Sequence, residues 1–384
     1  MRVALALLPC CACRTPSGPP PPREDELQLH RGALVVDAHS DVTEAVRYEQ
    51  YDLGIRHQDH HEDIPRMREG GLSAQFLSIF VQPGRFRAEQ FFDEAQTQIE
   101  AIRKAVAAHP AELSLARTAR EVRENARRGV ISILLGVEGA HMLLPGTDEE
   151  QLDHLRVFAF QGVRYLTLTW ASSNPVGGSS GDDGDTQGLT ALGRRLIAEL
   201  EKLGVVIDLA HASDPLFWDA LRVATRPVLV SHSSSRAIAN HPRNLTDAQL
   251  KAVARNGGAA CVNFSRGFLD DGFRKAAIPV ANQTRDLRTS ERRKAFQAAN
   301  LPDVPVSRLI DHIEHMVAVA GADHVCLGSD FDGVPMVPVG LEDVSKLPVI
   351  TSELLRRGMP RPDVAKVLGL NILRILEANE IRTK

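Results

Sequence analysis

From about Leu27 onward, short apolar runs rich in β-branched residues alternate with longer amphipathic stretches. Eight runs stand out as strands: ALVVDAH (33–39), SAQFLSIFV (73–81), VISILLGVE (130–138), VRYLTLTW (163–170), GVVIDLAH (204–211), RPVLVSH (226–232), GAACVNF (258–264) and HVCLGSD (324–330). Each is almost continuously apolar, the pattern of a strand covered on both faces. Between them, residues 88–109 carry apolar positions at helical spacing and stop before Pro110. Residues 190–204 end on Gly204, and 246–258 open on Thr246 and close on two glycines, the start and stop signals of helices. Residues 307–321 and 361–379 read the same way. Strands alternating with helices predict a parallel sheet, and eight is the closing number of a (β/α)8 barrel. The expected fold is therefore α/β, a TIM-like (β/α)8 barrel with loop and helical excursions at its C-terminal face. The Gly/Ser/Asp-rich stretch 171–188 reads as a loop over the barrel mouth, and the charged stretch 270–305 as a partly helical insertion.

The polar residues fall at one end of these runs. His39, Glu138, His211, His232 and Asp330 each close a predicted strand, and in such a barrel the strand C-termini carry the active site. His39 and Asp41 are two apart on extended chain, so an imidazole and a carboxylate converge there. Alone, this pair is weak evidence of a metal site, its other reading being a hydrogen-bonded turn. Glu138 ends a buried strand, where an unpaired charge is costly. Either a metal or an arginine would compensate it, and a carboxylate can bridge two cations. With His211 and His232 the set becomes three histidines, one aspartate and one glutamate, borderline ligands that suit zinc, with manganese or iron(II) as substitutes. Five protein ligands exceed the need of one catalytic zinc, so two ions sharing Glu138 fit better. Asp330 is placed to act as acid and base on an activated water; a further ligand or a turn cap beside Gly333 is the other reading of it. Arg243, in HPRNLTD, could pair with a substrate carboxylate or lie on the surface.

Composition narrows the field. The 384 residues are 43% hydrophobic and 24% charged, with a formal net charge of -4. Nothing in that balance points to nucleic acid as a partner, and no apolar run is long enough to span a bilayer. Residues 1–26 combine one early Arg, a short apolar stretch, Cys10, Cys11 and Cys13, and a Pro-rich segment. They read as an export signal with a lipidated cysteine and a linker, or as a disordered tail, ahead of a single hydrolase domain at 27–384. The expected location is extracytoplasmic, lipid-anchored or periplasmic, with the cytoplasm as the alternative. Cys261 and Cys326 lie inside apolar runs and are expected to be two buried small hydrophobes, without a disulfide framework.

The stretches VVDAHSD, GVEGAH, GVRYLTLT, GLTALGRRLIAELEKLGVVIDLAHAS, RPVLVSHSS, RNLTD, LGSDFDGV and GLEDVSKLP, in this order and spacing, resemble the membrane (renal-type) dipeptidases, metallopeptidases on an amidohydrolase-like barrel. The resemblance runs from about residue 33 to 378. It implies that His39 and Asp41 bind a first zinc, that Glu138 bridges, and that His211 and His232 hold a second. It also implies that Asp330 moves the proton of the bridging hydroxide and that Arg243 grips the C-terminal carboxylate of a dipeptide. A D-residue at the second position would be tolerated. One position departs from the family: LTLTW ends in Trp170 where many members have His. An indole donates one N–H but cannot carry a proton charge, so Trp170 or Asn174 is expected to hold the oxyanion beside the metals. The implied function is hydrolysis of L-L and L-D dipeptides by a hydroxide activated on two zinc ions. The alternatives are a related amidohydrolase acting on a lactam or other small amide, and a non-catalytic metal-binding lipoprotein that lost its activity with the histidine. The expected partner is a small dipeptide; a lipid anchor to the membrane surface and a homodimer are compatible with it.

Overall fold

The computed structural model of the protein describes residues 19–182, 187–285 and 287–381. Among the described residues, nine parallel strands form the sheet: β1 Val35–Ser40, β2 Leu72–Ile79, β3 Leu113–Leu115, β4 Ile131–Glu138, β5 Val163–Thr167, β6 Val206–Asp208, β7 Leu229–Ser233, β8 Ala259–Val262 and β9 Val325–Leu327. Eight of them close a ring. β2 pairs with β4 from Ala74↔Ser132 to Ile79↔Val137, and β9 pairs with β1 at Asp37↔Leu327. The eight expected strands are those of the ring. β3 is too short to have shown in the apolar pattern; it occupies the edge of β4 at Ile131–Ile133, before β5 begins to pair at Leu135.

Alternation along each strand sorts the core into two layers. Val36, Ala38, Phe76, Leu134, Tyr165 and Cys261 point into the barrel. Their neighbours Val35, Leu77, Leu135, Leu166, Ala260 and Val262 pack under the surrounding helices. Both faces are covered, which is why the runs read as apolar rather than alternating. The helix Asn371–Asn379 closes the bottom: Ile372, Ile375 and Leu376 join the barrel interior. Asn379 Nδ2 donates to Pro227 O (2.9 Å), and Arg374 reaches the carbonyls of Gly257 and Gly258, all just ahead of strand starts. With its lower end plugged, the barrel opens only at the strand C-termini.

The helices expected from sequence appear as Phe91–Ala108, Ala191–Leu203, Asp247–Asn256, Val306–Ala320 and the segment Arg361–Asn379. Thr190 and Thr246 cap their helices through the backbone N–H of Gly193 and Gln249, and Gly204 ends its helix in the left-handed conformation at φ 68°. The charged insertion is two helices, Asp271–Gln283 and Thr289–Ala298. Residues 183–186 of the expected mouth loop, and residues 1–18 of the expected export segment, lie outside the described residues. From Glu24 the chain is already helical, and Glu26 is buried against Arg356 (3.0 Å). Among the described residues, no helix is long and apolar enough to cross a membrane.

The expectation for two cysteines needs correction. Cys261 and Cys326 are fully buried, as expected of small hydrophobes, but they are joined by a disulfide. They are direct partners in the β8–β9 register, with Cα atoms 4.1 Å apart inside the barrel. They stand 65 positions apart in sequence, and what pairs them is the register of β8 against β9, which apolar patterning does not reveal.

Candidate metal centre

The C-terminal ends of β1, β4, β6, β7 and β9 bring the expected residues together. His39 lies within β1 and Asp41 just beyond it. Glu138 is the last residue of β4 and His232 lies in β7. His211 and Asp330 each follow their strand by three residues, and both hold left-handed backbone conformations, φ 65° and 60°. Such conformations cost a non-glycine residue roughly 1–3 kcal/mol and cluster at functional sites.

Glu138 Oε1 is the hub. It stands 3.0 Å from His211 Nε2, 3.4 Å from His232 Nε2 and 3.7 Å from His39 Nε2. His211 and His232 present their Nε2 atoms to each other at 3.0 Å. His39 Nε2 is also 3.7 Å from Asp41 Oδ2. No arginine forms an ion pair with Glu138 among the described residues, so the alternative of a salt bridge does not hold. Ligand atoms of His39, Glu138 and His232, and of His39, Asp41 and Asp330, cluster within 4.8 Å.

These residues fit divalent metal. His39 Nε2 is buried without a hydrogen-bond partner while facing two carboxylates, and its other nitrogen is occupied by Tyr165 Oη at 2.8 Å. His232 Nδ1 is likewise held by Ser231 Oγ at 2.8 Å. A ring fixed at one nitrogen and open at the other is the arrangement of a metal ligand. Burial, with the positive charge of nearby Arg243 and His39, pushes His211 and His232 well below the ordinary imidazole range, leaving them neutral donors. Burial, reinforced by Asp41 and Asp330, pushes Glu138 well up. Burial also raises Asp330, to about 7, with Asp41 adding to the effect while His39 opposes it. Three carboxylates crowd together in low dielectric, and the charges of His39 and Arg243 offset their repulsion only in part; bound cations would supply the rest.

The structure adds residues that strand ends did not reveal. Asp37 accepts from Ser329 N (2.8 Å), Ser329 Oγ (2.5 Å) and Gln75 Nε2 (3.1 Å), tying β1 to β2 and to the segment after β9. Asp208 does the same for β5 and β7 through Thr167 Oγ1 and Ser231 Oγ, both 2.6 Å. A carboxylate interrupting an apolar strand was the available signal for both. Asn263 Nδ2 donates to Asp330 Oδ2 (2.8 Å) and orients that carboxylate. Gly136 is glycine because a Cβ there would overlap the Tyr165 ring that supports His39.

Two recesses meet over Glu138. The wider, about 390 Å³, is walled by Phe268, Phe273, Ile278, Phe296 and Met336 and includes Arg243. The narrower, about 100 Å³, is lined by polar groups such as Thr43, Glu44, Ser78 and Gln98. Asp41, Glu138, Trp170, Arg292 and Gly333 line both. Arg243 is not a surface residue: only 8% exposed, it stacks 5.5 Å over Phe268 and donates to His232 O (3.2 Å). Trp170 packs 4.6 Å from Phe80 at the junction of the recesses. Asn174 is not brought there. Its Nδ2 donates to Leu168 O and its Oδ1 accepts from Val176 N, so its amide is spent on its own loop.

A sequence model of the family described as membrane dipeptidase (peptidase family M19) matches residues 23–384. Dipeptidase verJ of Clonostachys rogersoniana is 32% identical over 371 residues, covering 92% of this chain and 86% of that protein. Dipeptidase 3 of Mus musculus is 32% identical, over 94% of this chain and 68% of that one. Among solved structures, a metallopeptidase of Rhodobacter sphaeroides, bound to a phosphinate mimic of the dipeptide L-Ala-D-Ala, superposes with a TM-score of 0.77 at 27% identity, over 91% of this chain and 99% of that one.

Proposed function

The chain belongs to the membrane dipeptidase family and is a metallopeptidase acting on dipeptides, and from that premise we propose that it works with two zinc ions, one at His39 and Asp41, one at His211 and His232, with Glu138 shared. The observation that carries this is the approach of three imidazole Nε2 atoms to one oxygen of Glu138 within 3.0–3.7 Å. Manganese or iron(II) would satisfy the same donors. Bound ions would lower the pKa of water toward neutrality and polarise the scissile carbonyl.

The protein's own groups do the rest. Arg243, buried on the wide recess, pairs with the C-terminal carboxylate and so measures substrate length. The apolar wall beside it takes the second side chain, of either hand, and the narrow polar recess takes the first residue. Asp330, oriented by Asn263, accepts a proton from water and returns it to the leaving amine. Trp170 forms the wall between the recesses. The chain from 27 to 384 acts as one catalytic unit. We place it outside the cytoplasm, periplasmic or lipid-anchored, and the Cys261–Cys326 bond supports an oxidising compartment.

The test is turnover of a panel of L-L and L-D dipeptides by the zinc-loaded enzyme, with and without chelator, against lactams. Small first residues with bulky apolar second residues are expected to be the best substrates. Chelator should abolish activity, and elemental analysis should find about two metals per chain. Asp41→Ala and His232→Ala should each lose metal and activity. Turnover of lactams but of no dipeptide would defeat the proposal, as would full metal occupancy in either variant.

A further inference from the structure

Arg292 has no role in the scheme above, yet it lines both recesses beside the metal centre. It belongs to the helix Thr289–Ala298 of the charged insertion. Thr289, Arg292 and Phe296 share one face by helical spacing, and each lines a recess. Arg285 lines the narrow recess but not the wide one, and three other neighbouring cations are committed elsewhere. Arg293 pairs with Asp332 (2.7 Å), Arg274 with Asp271 (3.1 Å) and Arg85 with Glu44 (2.8 Å). The guanidinium of Arg292 makes no hydrogen bond or ion pair among the described residues, and its Nε is buried. Holding an unpaired cation there is costly. The fields of Asp330 and Glu44, one on each recess, favour the charge without satisfying its N–H groups.

The position says what those N–H groups await. On the dipeptidase reading, on which this inference rests, the substrate carboxylate lies at Arg243 and the first residue in the narrow recess. The scissile bond then crosses the junction. Five residues line that junction. Asp41 and Glu138 are acidic and repel negative charge, Gly333 has no side chain, and Trp170 offers one neutral N–H. Arg292 alone of the five brings positive charge. We propose that Arg292 is a catalytic residue that donates hydrogen bonds to the carbonyl oxygen of the scissile bond as that oxygen becomes negative. As the oxygen of water bonds to the carbonyl carbon, the π pair moves onto the carbonyl oxygen, and Arg292 stabilises it without giving up a proton. The oxygen's pair then returns to re-form C=O as the C–N bond breaks, and the C–N pair goes to nitrogen, which takes a proton from Asp330.

The test compares the metal-loaded wild type with Arg292→Gln and Arg292→Lys on a dipeptide with uncharged side chains, Ala-Leu, and one with an acidic side chain, Ala-Glu. It also measures by calorimetry the affinity of each for a phosphinate dipeptide mimic, whose tetrahedral anion resembles the reacting centre. Arg292→Gln should lower kcat about 100- to 1,000-fold on both substrates, with KM within about threefold. Its phosphinate affinity should fall in step with kcat/KM, and Arg292→Lys should recover part of each loss. Metal content should not change. A defect confined to the acidic dipeptide would assign Arg292 to a substrate side chain and overturn the proposal. A rise in KM alone, unchanged phosphinate affinity, or loss of metal from Arg292→Gln would overturn it equally. A wild type that turns over no dipeptide would instead remove the dipeptidase reading itself.

Discussion

Gly333 shows how closely single atoms constrain the centre. A methyl group on it would overlap both Asp41 Oδ2 and Asp330 Oδ1, oxygens of the two carboxylates that cluster with His39. Asp330 cannot retreat freely, since it is tethered by Asn263 at 2.8 Å and its own backbone is left-handed. Gly333→Ala is therefore expected to spread the two carboxylates and weaken metal binding about 10- to 100-fold, as loss of a supporting contact does. Because the substitution lies at the mouth and not in the packed layers, the variant should still fold. Metal titration followed by circular dichroism checks both halves; wild-type affinity in the variant would show that the carboxylates have more freedom than their contacts imply. The two residues expected to hold the oxyanion are likewise separated by their immediate contacts. Trp170 lies at the recess junction, whereas Asn174 is held in its own loop by two hydrogen bonds.

At the scale of elements, the insertion helices are anchored to the barrel by a buried histidine. His312, on the helix Val306–Ala320, accepts from Ser235 N at Nδ1 and faces Leu269 O at Nε2, both 3.0 Å. It thus joins the loop after β7 to the base of the insertion. A backbone donor at Nδ1 leaves no room for a proton there, and burial lowers its pKa to about 4. In the unfolded chain the ring titrates near 6.5. Between those values the unfolded state binds the extra proton, so the contribution of His312 is complete above about pH 6.5 and is lost as pH falls toward 4. The full effect is at most about 3 kcal/mol, at 1.36 kcal/mol per pKa unit. Urea unfolding of metal-free wild type and His312→Gln should show a stability difference that is largest at pH 7 and shrinks by pH 4.5. A difference independent of pH would mean that the ring is not held neutral.

Across the whole molecule, the Cys261–Cys326 bond clasps the last two strands of the ring over 65 residues of sequence. Cross-linking a loop of that size stabilises by about 2–4 kcal/mol. The double variant Cys261→Ala/Cys326→Ala should unfold at lower denaturant than the oxidised wild type and should be insensitive to reductant; equal midpoints would show that barrel closure alone holds β8 to β9. Much of this molecule was legible in its sequence. Eight apolar runs predicted the ring because strands buried on both faces leave no polar side to disguise them. The metal-site candidates were legible because strand ends of a closed barrel share one mouth, so a position along the strand is also a position in space. What depends on neighbours distant in sequence was not legible. The disulfide required the register of β8 against β9 that sets Cys261 opposite Cys326. The Tyr165 support of His39 required β5 to face β1 across the barrel interior. Arg292 was one charge among many in 270–305 until the packing of its helix turned it toward the carboxylates. Local periodicity determines which face of an element is buried; only tertiary packing decides which two faces meet, and therefore which charges are left without partners.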